Sequence, residues 1–280
     1  MSLKIYQIVR ELVPFTEKSV VSEFYRNCSI IYNKNKVDVR IAIPKYGFIS
    51  ARKNVLREVI RLKDIPVKHV KEEIHASAKS SFIPDSKVQT YFLVNPEMFQ
   101  KIDSVGIVKK SSLKSYKSKY LDSFMYFSIA SLNTLKYLYW KPDRIISNDW
   151  QSAIIPILMN NKYYDDGWFK GTKFVLILSS DQEFHSYSKK ILDNFMIPNC
   201  EYDLSDPVEY LKAAITYADG VTFLKVKGKD KFKELFKNKD ISKLLKEKGD
   251  AFKKMVLEAE QDEDLLEQTA KEYYTYLEKI

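Results

Sequence analysis

The stretch Lys141–Met159, KPDRIISNDWQSAIIPILM, constrains the fold more than any other. Pro142-Asp143 makes a turn, Arg144–Ser147 reads as a short strand, and Ala153, Ile154, Ile155 and Leu158 supply a helix's apolar face. Between strand and helix stands a polar crest, Asn148-Asp149-Trp150-Gln151. A strand that ends in polar residues and runs into a helix is a βα unit. In open α/β sheets ligands bind outside the carboxyl ends of the strands, which makes Asn148 and Asp149 candidate binding residues. Asp149 reads equally well as a helix cap, and Trp150 as core packing.

The flanking sequence extends this unit. Leu3–Val9, a helix over Lys18–Tyr32 and Val37–Ile43 form a β-α-β opening. Short strands are expected at Val55–Leu62, Val67–Ile74 and Val88–Val94, as a hairpin excursion beside the main sheet. Lys109–Lys119 is rich in Ser and Lys and reads as a loop, followed by a helix over Tyr120–Trp140. A strand over Lys173–Leu178 is followed by Ser179–Glu183 (SSDQE) at its carboxyl end, on the same rim as Asn148 and Asp149. Asp206 caps a helix with Pro207 in its first position, and Asp219–Leu224 is the expected last strand. Lysine-rich and then acidic helices follow, joined by a turn near Gly249. The expected fold is a three-layer, Rossmann-like α/β domain with a mostly parallel sheet over 1–224. Residues 225–280 are expected as a helical extension packed on it or on a partner.

Composition narrows the chemistry. Seven glycines in 280 residues is few against the roughly twenty that average usage gives, and no G-x-G-x-x-G or Walker-type run occurs. The two cysteines and three histidines lack metal-ligand spacing. No cofactor or metal site is expected, and Cys28 and Cys200 are expected as buried free thiols. The formal charge of +9 is read as a solvated lysine surface in preference to a nucleic-acid site, because the aromatics do not interleave with the basic runs. No apolar run suits a membrane span or a signal peptide, and the expected location is cytoplasmic.

Seven segments in order resemble the N-terminal half of the bacterial glycogen/starch synthases. They are Glu11-Leu12-Val13-Pro14-Phe15, Val37–Arg40 with Pro44-Lys45-Tyr46, Tyr91–Glu97, Asp122–Ala130, Trp140–Pro156, Phe169–Lys173 and Leu211–Thr222. The resemblance implies the first of two facing Rossmann-like domains (the GT-B arrangement). In that family glucose passes from ADP-glucose to an α-1,4-glucan, so an α-glucan or another glucan-metabolism enzyme is the implied partner. The departures are specific. Where the family has x-K-T-G-G-L to hold the donor's phosphates, this chain has Thr16-Glu17-Lys18-Ser19-Val20-Val21. A carboxylate repels a diphosphate, and Val20 denies the close backbone approach that glycine allows; a one-residue slip puts Lys18 in the lysine's place, with both glycines still missing. The family's His-Asn after the later strand is Ser179-Ser180 here, with His185 six residues beyond the first serine. Asp149 of the D-W motif is retained. No second nucleotide-binding βαβ series follows Thr222. The resemblance therefore implies a catalytically degenerate relative that binds glucan or docks onto an enzyme, or a transferase completed by a separate donor-binding domain. Glu17, Lys18, Asn148, Asp149, Ser179 and Ser180 are the residues of the old cleft. Their plainer roles are solvated loop residues for the first two and strand-end hydrogen bonding for the serines.

Overall fold

The computed structural model describes residues 2–102, 113–258 and 263–280. Its strands are β1 Lys4–Ile8, β2 Asp38–Pro44, β3 Arg57–Glu58, β4 Ile65–Val67, β5 Ile74–Phe82, β6 Gln89–Val94, β7 Arg144–Asn148, β8 Lys173–Ser179, β9 Gly220–Val226 and β10 Phe252–Leu257. All but β4 lie on one path, ordered β10-β9-β8-β7-β1-β2-β6-β5-β3, with β4 paired to β5. From β10 to β6 every neighbour is parallel, while β5 pairs antiparallel with β3, β4 and β6. The parallel strands read as apolar runs because helices cover both faces.

One face carries α1 Val20–Lys34 and α10 Glu263–Lys279, packed on each other. The other carries α3 Leu113–Tyr137, α5 Ile154–Asn160, α7 Pro207–Tyr217 and α9 Lys239–Glu247 in successive contact. Short helices complete the chain: α2 Pro96–Phe99, α4 Asp149–Ser152, α6 Lys189–Asn194 and α8 Lys233–Phe236. The α7 start follows its sequence signal, with the Asp206 carboxylate accepting from the Val208 and Glu209 N–H groups at 2.9 Å. No described helix is long and apolar enough to cross a membrane.

Several expectations are corrected. The single helix after β7 is two, broken at Ala153, because Pro156 has no N–H for the Ser152 carbonyl. Of the expected loop Lys109–Lys119, residues 113–119 are the start of α3 and 109–112 lie outside the described residues; lysine is a good helix former, and composition alone did not reveal it. Val67–Ile74 is mostly a connection between β4 and β5, its Lys71-Glu72-Glu73 run being exposed. Val55–Leu62 holds only two strand residues and a 3-10 turn. Asp219–Leu224 does not end the sheet: β10, within the segment expected to be wholly helical, pairs along β9 from Phe252 opposite Val221 to Leu257 opposite Val226. Its buried positions, Met255 and Leu257, alternate with exposed ones, a period of two set inside a lysine-rich run. Both cysteines are free thiols, with Cys28 buried and Cys200 only half-buried.

Candidate functional site at the strand ends

The chain leaves β1 for β2 on one side and later adds β7 on the other. The carboxyl ends of β1 and β7 therefore flank the switch point, where an open α/β sheet places its ligand crevice. Three polar turns meet there.

The turn after β1 brings Arg10 and Glu11, whose side chains are 2% and 1% exposed and joined by a 2.7 Å ion pair. The Tyr46 hydroxyl donates to the Arg10 carbonyl at 2.8 Å, and Leu12 N–H donates to Thr16 Oγ1 at 2.9 Å. The E-x-x-P-F segment is thus folded on itself.

At the end of β7, Ser152 Oγ accepts the Asn148 N–H at 2.6 Å and donates to the Asn148 carbonyl at 2.8 Å. Asn148 Nδ2 donates to the Tyr25 hydroxyl and, at 3.2 Å, to Asp149 Oδ2. Asp149 adopts φ +49, a left-handed conformation that an aspartate tolerates better than most side chains. Its carboxylate does not cap the helix. It accepts Ser179 N–H at 2.7 Å and the Ser179 hydroxyl at 3.0 and 2.8 Å, stitching β7 to the end of β8.

Ser180 turns the other way. Its Oγ donates to the Lys229 carbonyl at 2.7 Å and accepts Val226 N–H at 2.8 Å, fixing the loop after β9.

Four of the expected residues, Asn148, Asp149, Ser179 and Ser180, therefore lie together and buried. Glu17 and Lys18 do not join them. Both are exposed, and Lys18 pairs with Glu23 at 3.0 Å. The residues missed from sequence are Arg10, Glu11 and Tyr25, while Asp181 lies in the segment 179–183 expected on this rim. The signal for Arg10 was present, since a charged pair directly after an apolar strand marks a strand end, whereas Tyr25 reads only as part of an apolar helix face. His185 packs edge-on to Trp150 with ring centroids 5.5 Å apart, and Trp150 is core, as expected.

The electrostatics are lopsided. Burial pushes the Asp149 carboxyl up to about 7; Arg10 pulls it down, Asp181 adds to the rise and the Ser179 hydrogen bonds oppose it. Burial raises Glu11 too, against the pull of Arg10. Glu11 Oε2, Asn148 Oδ1 and Asp181 Oδ1 are buried with no hydrogen-bond partner among the described residues. Such a cluster suits a held proton or a hydroxyl donor and disfavours a phosphate. Among the described residues, no group of three or more His, Cys, Asp or Glu side chains is arranged to hold a metal ion.

The helix after the β1 turn completes the site. Ser19 is the N-cap of α1: its Oγ accepts Ser22 N–H at 3.0 Å, while Ser22 Oγ accepts Ser19 N–H at 2.9 Å. This reciprocal box occupies amide donors at the helix N-terminus, which elsewhere receive anions.

Residues 4–244 match the family described as the starch synthase catalytic domain. The chain is 30% identical over 224 residues to a glycogen synthase of Chlorobaculum parvum, an alignment spanning 78% of this chain and 45% of that protein. A glycogen synthase of Chlorobium phaeovibrioides is 28% identical over 224 residues, with 79% and 45% covered. The chain thus spans about half the length of the curated relatives it matches. The catalytic domain of starch synthase IV from Arabidopsis thaliana, solved with ADP and acarbose, superposes with a TM-score of 0.67 at 16% identity. That likeness covers 92% of this chain and 52% of that one, and it shows a shared fold.

Proposed function

The chain belongs to the starch synthase catalytic domain family, and from that premise we propose that it is a catalytically degenerate member, a glucan-binding or enzyme-docking subunit of cytoplasmic α-glucan metabolism. The observation that carries this reading is the start of α1. Where the family pattern has a glycine pair for the donor's phosphates, Ser19 and Ser22 cap each other, and the exposed Glu17 stands at the lysine position. A diphosphate would meet a carboxylate, and the Ser19 and Ser22 amide groups already engaged, in place of an open glycine turn. Beneath that loop, Asp149 and Ser179 satisfy one another.

Two measurements test it. In affinity electrophoresis the protein is expected to be retarded by glycogen or amylopectin, or to co-purify with a glucan enzyme. With labelled ADP-glucose and glycogen it is expected to transfer nothing, either alone or mixed with the donor-binding half of an active relative. Incorporation of labelled glucose by the chain or the mixture would refute degeneracy. Free migration with no co-purifying partner would refute the binding role. The second reading, a transferase completed by a separate donor-binding domain, is favoured by the retained Asp149. The mixing arm decides between the two.

A further inference from the structure

The far edge of the sheet carries a second feature, remote in the strand order from the β1–β7 switch point. β3 pairs with β5 through Arg57 opposite Ser80 and Glu58 opposite Lys79. Extending that register would set Val55 opposite Phe82. The pair does not form, because the chain turns away at Val55. Residues 51–56 close a turn in which Val55 N–H donates to the Arg52 carbonyl at 3.3 Å and Leu56 N–H to the Ala51 carbonyl at 2.9 Å. This is the pattern that ends a helical turn on a left-handed residue, usually glycine. Val55 holds that position with φ +49. A β-branched side chain there is strained, and strain persists where the surroundings or a function retain it.

The peeled chain leaves a groove of about 300 Å³ between the 55–57 segment and the end of the β5–β6 hairpin. Val55, Phe82, Ile83 and Pro84 give it apolar walls, with Arg57 on one lip and Asp85 on the other. Val55 and Phe82 are 62% and 56% exposed, and Ser81 Oγ fixes the mouth by donating to the Asn54 carbonyl at 2.9 Å. The segment that forms this wall is cationic: Arg52, Lys53, Arg57, Arg61 and Lys63 are exposed, against Glu58, which Lys63 engages at 3.6 Å, Asp64, which His75 engages at 2.7 Å, and Asp85 on the opposite lip.

The geometry points to this groove as a docking site for an acidic protein segment that inserts one bulky apolar side chain between Val55 and Phe82. The inference rests on the docking role proposed above and names its surface and its partner's chemistry. An uncharged glucan leaves the cations without purpose. A nucleic-acid backbone leaves the apolar walls without purpose, and a bilayer, being flat, does not fill a concave groove. An acidic segment with an apolar anchor uses all three features, with the anchor supplying most of the affinity and the charges the steering.

The test is a fluorescence-anisotropy titration of the full chain at low salt. Its probe is a labelled synthetic peptide of glutamates around a single phenylalanine. Saturable binding is expected, weakened about tenfold by Val55→Gly, Phe82→Ser or Arg57→Glu, and by replacing the probe's phenylalanine with glycine. Val55→Gly relieves the backbone strain, so its melting temperature is expected to hold or rise, which separates lost binding from lost folding. The inference is overturned by non-saturable binding, by equal affinity for the phenylalanine-free probe, or by unchanged affinity in Val55→Gly. It is equally overturned if duplex DNA or phosphatidylserine vesicles bind in a Val55-dependent way. Glucosyl transfer in the assays above would refute the silent role without altering this titration, so the two failures are distinguishable.

Discussion

The two ends of the parallel sheet are both closed by polar side chains, but they balance charge differently. At the amino ends, groups meet in matched pairs. Arg40 reaches Asp38 at 3.3 Å and lies 4.3 Å over the Trp140 ring, Trp140 Nε1 donates to Asp38 at 2.9 Å, and Lys173 pairs with Asp219 at 2.8 Å. Arg144 Nε donates to the Leu277 carbonyl at 2.8 Å, tying in the α10 end. At the carboxyl ends, Arg10 pairs with Glu11 and acts on Asp149, Asp181 acts on both of those carboxyls, the exposed Lys229 acts on Glu11, and buried oxygens are left over. A sheet end selected for stability alone has little reason to keep three buried carboxyl groups with one buried guanidinium, the second cation, Lys229, being exposed. The imbalance fits the role proposed above, a binding rim whose ligand-facing parts have changed while its carboxylates remain.

The largest expected effect strikes at that imbalance. Arg10→Met removes the guanidinium from the cluster and leaves Glu11 buried without its ion-pair partner. Breaking a buried pair from one side costs about 3–5 kcal/mol. The partly exposed Arg40→Met is expected to cost about 1 kcal/mol. Urea unfolding of both variants compares the two ends directly, and equal losses would show that they carry similar electrostatic loads.

A second test uses pH. The Asp149 carboxyl is raised to about 7 from an unfolded value near ~3.9. Below about pH 4 both states hold the proton, so this group adds no pH dependence. Between about pH 4 and pH 7 the folded state keeps a proton that the unfolded state has released, so stability falls as pH rises, then levels off. The span corresponds to a loss on the order of 4 kcal/mol. Glu11, also raised, adds to the same slope. Asp149→Asn removes the Asp149 share, so the variant's unfolding free energy is expected to be flatter across that range than the parent's. A parent whose stability does not fall between pH 4.5 and pH 7 would mean that the cluster is not held as a buried acid.

How much of this was legible in the sequence depends on what kind of signal carried it. The parallel core was readable because its strands are apolar runs bounded by turn residues, and because Asp206-Pro207 announces a helix start. The rim was readable from polar residues directly after those runs, which placed Asn148, Asp149, Ser179 and Ser180. Glu17 and Lys18 were assigned to the rim by alignment with a motif, yet the local chemistry of Ser19 and Ser22 turned that motif into a helix cap and left both side chains in solvent. β10 was hidden because its alternation, Met255 and Leu257 inward and Lys254 and Val256 outward, is short and set among lysines. The peel at Val55 was invisible, since nothing in the residue type signals a left-handed turn.

The smallest expected effect tests the other side of the comparison. Lys173 and Asp219 form their pair at side-chain exposures of 45% and 30%, so water already screens much of the attraction. Asp219 also accepts the Phe174 N–H at 2.9 Å, a contact that survives loss of the lysine. Lys173→Met is therefore expected to cost no more than about 1 kcal/mol. A loss of several kcal/mol would show that the amino ends also depend on desolvated charge. The contrast between a balanced amino end and an unbalanced carboxyl end would then fail, and with it the support that the carboxyl-end acids lend to the proposed binding role.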